Sequence, residues 1–259
     1  MTDNIRTLQD PMDVARAQAL QATLNLAPIA SGDPLPPFAH HIYFWDPAPL
    51  ADLGRDGHPA KGRFIPDMDL PRRMWAAGHL VFHRPLLAGI RAEKTSVIES
   101  VTRKTGRSGP LAFVRIRHDI RQRHTLALTE TQDLVFREDQ AHSPAPPIAA
   151  TDEDHAAQVH FTSTLLFRYS ALTFNGHRIH YDETYARDVE GYDGLVVHGP
   201  LLAHLLMNMA QQHLGSLTTF SYRATAPLMH SEVATLCWKD GRAWVRGPDG
   251  RQCMTATAT

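Results

Sequence analysis

Only two cysteines, Cys237 and Cys253, occur in the 259-residue chain, too few for a disulfide framework. That scarcity predicts a reducing environment, and a cytoplasmic location is the expectation. No uninterrupted apolar run reaches bilayer length, so no spanning helix is expected. The opening MTDNIRTLQD lacks the charged-then-apolar plan of a signal peptide. Charge of one sign is missing too: 26 Lys+Arg against 27 Asp+Glu give a net charge of -1. An overall basic field for nucleic acid is thereby excluded. Hydrophobic residues at 43% and charged residues at 20% exclude wholesale disorder. Histidine is the one abundance, at sixteen, and most of these must lie on the surface.

Val14, Ala17, Leu20 and Leu24 recur at helical spacing, which predicts an amphipathic helix over 11–26 started by Asp10-Pro11. Residues 31–73 are rich in Pro, Gly, Asp and His, an irregular stretch ordered by aromatic islands such as 42–45 and ended by 72–78. After Gly89, β-branched and alternating residues predict three long antiparallel strands, over 91–105, 111–120 and 125–137. Their turns are Gly106–Gly109 and Gln122–His124. Residues 139–150, with Pro144, Pro146 and Pro147, read as a linker. Residues 159–169 read as a strand, and a short helix begins near Asp182. Gly199-Pro200 opens an apolar helix over 201–214, rich enough in Leu and Met to be buried. Strands follow over 216–226, 232–239 and 243–245 with 252–258, and Asp240-Gly241 is a hairpin signal. Two alike α+β modules, 1–138 and 151–259, are the economical reading. A three-residue echo, Ile90-Arg91-Ala92 and Tyr222-Arg223-Ala224, points the same way.

One constellation carries chemistry. Phe174-Asn-Gly-His-Arg-Ile-His180-Tyr-Asp182 lies between a strand-like run and a helix, and Val196-Val-His198-Gly199-Pro200 leads into the buried helix. His180 titrates near neutral pH, and a Gly199 N–H at a helix start stabilises a developing oxyanion. That pairing suits enolate chemistry on a thioester.

Here the chain resembles the MaoC-like, R-specific enoyl-CoA hydratases, whose motif runs Gly-Asp-x-Asn-Pro-x-His. The family's general base falls on His180. Its Gly falls on Phe174, its Asp on Asn175, its Asn on His177 and its Pro on Arg178. All four depart from the pattern; an amide at 175 holds water but takes no proton. The departures, with Phe220-Ser-Tyr-Arg223-Ala-Thr-Ala-Pro227 and Arg72-Arg73-Met-Trp-Ala76, look like the mesaconyl-C4-CoA and itaconyl-CoA hydratases. The resemblance runs from about Trp45 to the C-terminal strand. It implies a double hotdog, an α+β fold in which each of two curved antiparallel sheets wraps a helix, with chemistry on the second module.

The resemblance further implies an acyl-CoA thioester substrate, with coenzyme A as part of it and no separate cofactor or metal. His180 and Asn175 would hold and deprotonate water, and Gly199 with His198 would receive the thioester. Arg178 is the first choice for a free carboxylate, with Arg72, Arg73 and Arg223 in reserve for it or for CoA phosphates. Plainer roles stand beside these. Asn175 suits an Asx turn, Arg178 an ion pair with Asp182, and Asp182 a helix cap. His198 suits a structural role, and His177, His180 and His198 have generic metal-ligand spacing. Other classes also stay open: a medium-chain enoyl-CoA hydratase or hydroxyacyl-thioester dehydratase, or a non-catalytic acyl-CoA-binding protein. A homodimer is compatible with exposed sheet edges.

Overall fold

Along Gly109–Gln122, residues Ala112, Val114, Ile116, His118, Ile120 and Gln122 are buried in strict alternation. A period of two puts one face of a strand on the core and the other in solvent. The computed structural model describes residues 4–62, 64–106, 109–138 and 145–259. In its first half β1 (Ile5–Asp10), α1 (Val14–Thr23), β2 (Arg72–Phe82), β3 (Ala92–Gly106), β4 (Gly109–Gln122) and β5 (Thr125–Arg137) succeed one another. The second half holds β6 (His155–His160), α2 (Ser163–Thr173), α3 (Glu183–Asp188) and α4 (Gly199–Leu214). Strands β7 (Thr219–Ala224), β8 (Val233–Lys239), β9 (Arg242–Arg246) and β10 (Gln252–Ala258) complete it.

All ten strands form one antiparallel sheet in the order β1-β3-β4-β5-β2-β7-β10-β9-β8-β6. Each half reads first-third-fourth-fifth-second from its outer edge inward, so the halves are topological copies joined where β2 pairs with β7. This is the double hotdog. The repeat lies in topology, however, and not in the three-residue echo. Ala92 opens β3, whose counterpart is β8, whereas Tyr222-Arg223-Ala224 ends β7, the counterpart of β2.

Several local expectations are corrected. Residues 72–78 do not end an irregular stretch; they begin β2, the central strand on which the halves meet. The run over 159–169 is not one strand. Its β part stops at His160, and Thr162 then caps α2 by accepting from the Leu165 N–H. Its β-branched and aromatic residues look strand-like, but burial of Leu166, Tyr169 and Ser170 on one side settles a helix. Helix α1 starts at Val14 behind an Asp13 cap, and Ile5–Asp10 adds an edge strand to β3. Residues 107–108 of one expected turn, and 139–144 of the proline-rich stretch, lie outside the described residues. Beyond them the stretch is tied down, Ile148 bridging Arg251 and Ala149 donating to the Gly250 carbonyl.

Among the described residues only the second half holds a long buried helix, α4, with Leu201, Leu202, Leu206, Met207 and Ala210 packed under the sheet. In the first half the helix between the corresponding strands is the shorter α1, which puts Ala17 and Leu20 into the same core. There Phe38, Ile42, Tyr43 and Phe44 of the irregular stretch complete the same core, as the aromatic islands foretold. Burying that surface stabilises by roughly 25 cal/mol per Å² of apolar area, which is what orders a segment poor in secondary structure. No described helix is long and apolar enough to cross a membrane. Cys237 and Cys253 are both buried and unpaired.

Candidate active site

Helix α2 ends at Phe174, whose left-handed backbone (φ 50°, ψ 36°) reverses the chain into the motif. This is where the motif resembled has glycine, and left-handed backbone costs other residues about 1–2 kcal/mol. Its ring, half exposed, stacks on Trp45 at 5.0 Å. Asn175 then closes an Asx turn, its Oδ1 accepting from the His177 N–H at 3.0 Å, while its own N–H donates to the Ser170 carbonyl at 2.8 Å. The plainer role of Asn175 is thus present. Its Nδ2 makes no hydrogen bond among the described residues.

A short 3-10 turn, Arg178–His180, carries the histidine inward until it is 6% exposed. Its Nδ1–H donates to the Val196 carbonyl at 2.7 Å, and Val196 N–H donates to the Ile179 carbonyl at 2.9 Å. Because a carbonyl only accepts, the proton sits on Nδ1, and Nε2 keeps the lone pair of a base. Burial, then His177, pushes the His180 pKa down to about 3, so the ring is neutral at physiological pH. The same crosslinks fix His180 against the start of α4. His198 stacks on it at 3.6 Å and accepts or donates through Nε2 to Ser170 Oγ at 2.8 Å. Residues 194–198 are all buried, whereas Gly199, the first residue of α4, is partly accessible. Its N–H is one of the first-turn donors without an intrahelical partner. His180 is thereby held against His198, the residue that precedes Gly199 at the start of α4.

The first half supplies the opposite wall, which the sequence reading missed. Gly57 and Gly176 bring two backbones together: a Cβ on Gly176 would lie 2.7 Å from the Gly57 carbonyl oxygen. Arg178 N–H donates to the Asp56 carbonyl at 2.9 Å, locking the 54–58 loop onto the motif. His58 thereby lies tilted against His177 at 4.6 Å, and His177 meets His180 edge-on at 5.3 Å. From β2, Trp75 lies against Gly199, where a Cβ would come within 3.0 Å of its ring. The signals for this wall were the Arg72–Ala76 motif, which contains Trp75, and Gly54-Arg-Asp-Gly-His58, a loop-forming run with a histidine that the sequence reading passed over.

The four arginines separate. Arg178 donates through Nε and Nη2 to Asp182 Oδ2 (3.0 and 2.7 Å), lies over the Tyr185 ring and gives Nη1 to the Arg55 carbonyl. Its plainer role, an ion pair with Asp182, is thus present, and Asp182 also caps α3. Arg72 pairs with Glu190. Arg223 is exposed while its neighbours Phe220 and Tyr222 point inward, so strand alternation turns it to the far face of the sheet. Arg73 pairs in register with Phe136 on the inward face and makes no hydrogen bond or ion pair among the described residues. Burial lowers its pKa, with Asp56 as countercharge, and its charge helps to hold His177 down at about 4 and His58 well below the usual histidine range, both chiefly through burial.

Further polar groups converge beyond Trp75. Trp75 Nε1, Tyr169 Oη, His198 Nδ1, His204 Nε2 and Tyr222 Oη are buried without a hydrogen-bond partner. Native cores pair such groups, so this cluster marks a lining that a polar ligand or water would satisfy. Next to it His40 and His41 bind opposite oxygens of buried Glu130 at 2.8 and 3.0 Å. Two donor sets have metal-like spacing, His40/His41/Glu130 and Asp56/His58/His177. Each has a cation beside it, Lys94 and Arg73 respectively. A surface cleft of about 420 Å³, lined by Met68, Arg103, Lys104 and Glu138, holds none of these residues.

Comparison with known proteins agrees with this geometry. The family model of hydroxyacyl-thioester dehydratase type 2 matches residues 38–230. The mesaconyl-C(4)-CoA hydratase of Chloroflexus aurantiacus is 44% identical over 97% of this chain and 94% of its own. Among solved structures, HtdX of Mycobacterium tuberculosis superposes with TM-score 0.68 at 18% identity, over 98% of both chains. A second Mycobacterium tuberculosis protein, with a double hotdog fold, gives 0.60 at 14% identity over 100% of this chain and 95% of its own. With the motif turn, the buried base and the open helix start on one ten-stranded sheet, the chain belongs to the hydroxyacyl-thioester dehydratase type 2 family of MaoC-like hydro-lyases.

Proposed function

We propose that the protein adds water reversibly to a C5 dicarboxylic unsaturated acyl-CoA, mesaconyl-C4-CoA or itaconyl-CoA, giving citramalyl-CoA. The observation that carries the reading is His180, its Nδ1 pinned to Val196, held beside the accessible Gly199 at the start of α4. The substrate class is supported by the 44% identical relative and by Arg73, a half-buried guanidinium that has Asp56 as countercharge but makes no hydrogen bond among the described residues. Coenzyme A arrives as part of the substrate, and the reading needs no other cofactor.

The thioester carbonyl accepts from the Gly199 N–H, drawing electrons from the double bond. Water attacks the β-carbon as His180 Nε2 takes its proton, and Asn175 Nδ2 steadies the water. The negative charge moves to the thioester oxygen as an enolate, where the Gly199 amide is aimed. For mesaconyl-C4-CoA, whose double bond is conjugated with the thioester, the imidazolium then returns a proton to the α-carbon, restoring the neutral base; itaconyl-CoA enters this route only after a proton leaves its α-carbon and one is added at its terminal methylene, which shifts the double bond into conjugation. Arg73, flanked by His58 and His177, holds the free carboxylate in its fork. Both halves of the site come from one chain, so a homodimer is not required and specific activity should not vary with protein concentration. Two buried thiols fit a reducing cytoplasm.

The test is turnover of mesaconyl-C4-CoA, itaconyl-CoA and crotonyl-CoA by wild type, Arg73→Met and Arg178→Ala. A charge-assisted pair lost in a desolvated site costs about 1.5–3 kcal/mol, so Arg73→Met should lose roughly tenfold to a hundredfold in kcat/KM on the C5 substrates alone. Arg178→Ala should change the ratio little. Crotonyl-CoA turned over as well as the C5 substrates would refute the carboxylate clamp, and bound but unreacted thioesters would favour a non-catalytic binding protein.

A further inference from the structure

Phe38 is 1% exposed, yet its backbone is left-handed (φ 69°, ψ -5°). That conformation is costly for an aromatic residue and persists where the surroundings dictate it. Local capping does not ask for it, since no side chain caps the 39–42 turn that Phe38 precedes. What the conformation does achieve is the placement of the ring between the two halves. There it stacks on His41 at 3.8 Å and meets His204 of α4 at 5.8 Å, Trp75 of β2 at 6.2 Å and Tyr222 of β7 at 6.2 Å.

Trp75 is the side chain that lies against Gly199, and it stacks on Tyr222 at 4.4 Å. The Phe38 ring thus packs on Trp75, the side chain that lies against Gly199, and on His204 one turn further along α4. Around that ring sit the unpartnered Trp75 Nε1, His204 Nε2 and Tyr222 Oη. Buried polar atoms left unpaired around an aromatic ring describe the lining of a pocket rather than a finished core.

We propose that Phe38 is the end wall of the acyl pocket and sets its chain-length limit, confining the enzyme to short acyl groups. The inference rests on the reading that the Gly199 amide receives an acyl thioester. A short branched acyl group ends before Phe38, whereas a linear acyl chain must continue through the volume of the benzyl group. The left-handed backbone is what keeps the ring in that path.

The test compares wild type, Phe38→Gly and Phe38→Leu in affinity for saturated butyryl-, hexanoyl- and octanoyl-CoA by calorimetry, a readout that needs no turnover. Glycine adopts the φ of 69° without strain, so Phe38→Gly keeps the backbone while removing the ring. Phe38→Leu keeps most of the volume. The octanoyl-to-butyryl affinity ratio should rise about tenfold to a hundredfold in Phe38→Gly and by no more than about threefold in Phe38→Leu. The kcat/KM ratio of octenoyl-CoA to crotonyl-CoA should move the same way. An unchanged ratio in Phe38→Gly, even with weaker binding overall, overturns the wall, because a merely structural residue affects all chain lengths alike. So does wild type that binds octanoyl-CoA as tightly as butyryl-CoA. Failure of wild type on C5 substrates alone would instead overturn the carboxylate reading and leave the chain-length comparison decisive for Phe38.

Discussion

Acidification from pH 7.5 to 5.5 should destabilise this protein far more than its carboxylates alone would. Burial drives the pKa of His118, His180 and His204 down to about 3, and that of His198 well below the usual range. All four are less than 9% exposed, so solvent screens little. In the unfolded chain each titrates near about 6.5. The sign follows from proton counts: between those values the unfolded state binds protons that the native state refuses, so stability is full above pH 6.5 and falls as pH drops. One unit below the unfolded pKa, each histidine costs about 1.4 kcal/mol, and the four together cost roughly 5–6 kcal/mol at pH 5.5. His40 is left out because Glu130 would share its proton, and His58 and His177 because they are only partly buried. A domain holds only about 5–15 kcal/mol in all, so a loss of that size removes a large share of the stability by pH 5.5. Urea titrations at pH 7.5, 6.5 and 5.5, read by tryptophan fluorescence, measure this directly. His204→Leu should flatten the pH slope by about one histidine's share, ~1.4 kcal/mol per unit. A free energy of unfolding that stays within about 1 kcal/mol from pH 7.5 to 5.5 would refute the reasoning. Activity in acid should accordingly fall with unfolding, before His180 itself titrates.

Three substitutions extend the test to the site. His180→Ala should lower kcat by roughly a hundredfold to ten-thousandfold, the range of one general base, with little change in KM. Gly199→Ala puts a Cβ 3.0 Å from the Trp75 ring, and should cost about a hundredfold in kcat with the fold retained by circular dichroism. Asn175→Ala removes the Asx turn and should cost about 1 kcal/mol in chemical denaturation, with a loss of kcat smaller than that of His180→Ala.

Much of the second half was legible because its signals are local. Asp182 caps α3 through its own side chain, and Asp240 and Gly241 take positive φ in the hairpin (46° and 76°). Gly199 and Pro200 open α4, and alternation marks β4 residue by residue. Local rules were less sure where burial overrides propensity. The run through Leu165, Phe167 and Tyr169 has strand-like residues, but its inward face is helical. Residues 72–78 looked like the close of an irregular stretch, because nothing local says that β2 will pair with β7, more than a hundred residues along the chain.

The sequence by itself determined Gly199 at a helix start and, through the motif it resembles, pointed to His180 and Asn175 as the residues to examine. Composition and periodicity are properties of short windows, and so are these motifs. How the four arginines are placed was decided only by tertiary structure. Arg178 finds Asp182 four residues away, Arg223 is turned outward by the pleat, and Arg73 lies opposite buried Phe136 on β2. The approach of His58 to His177 and of Trp75 to Gly199 was likewise decided by packing, since these residues come from the other half of the sheet. Contacts of that range depend on the whole chain closing around α4, and no stretch of neighbouring residues encodes them.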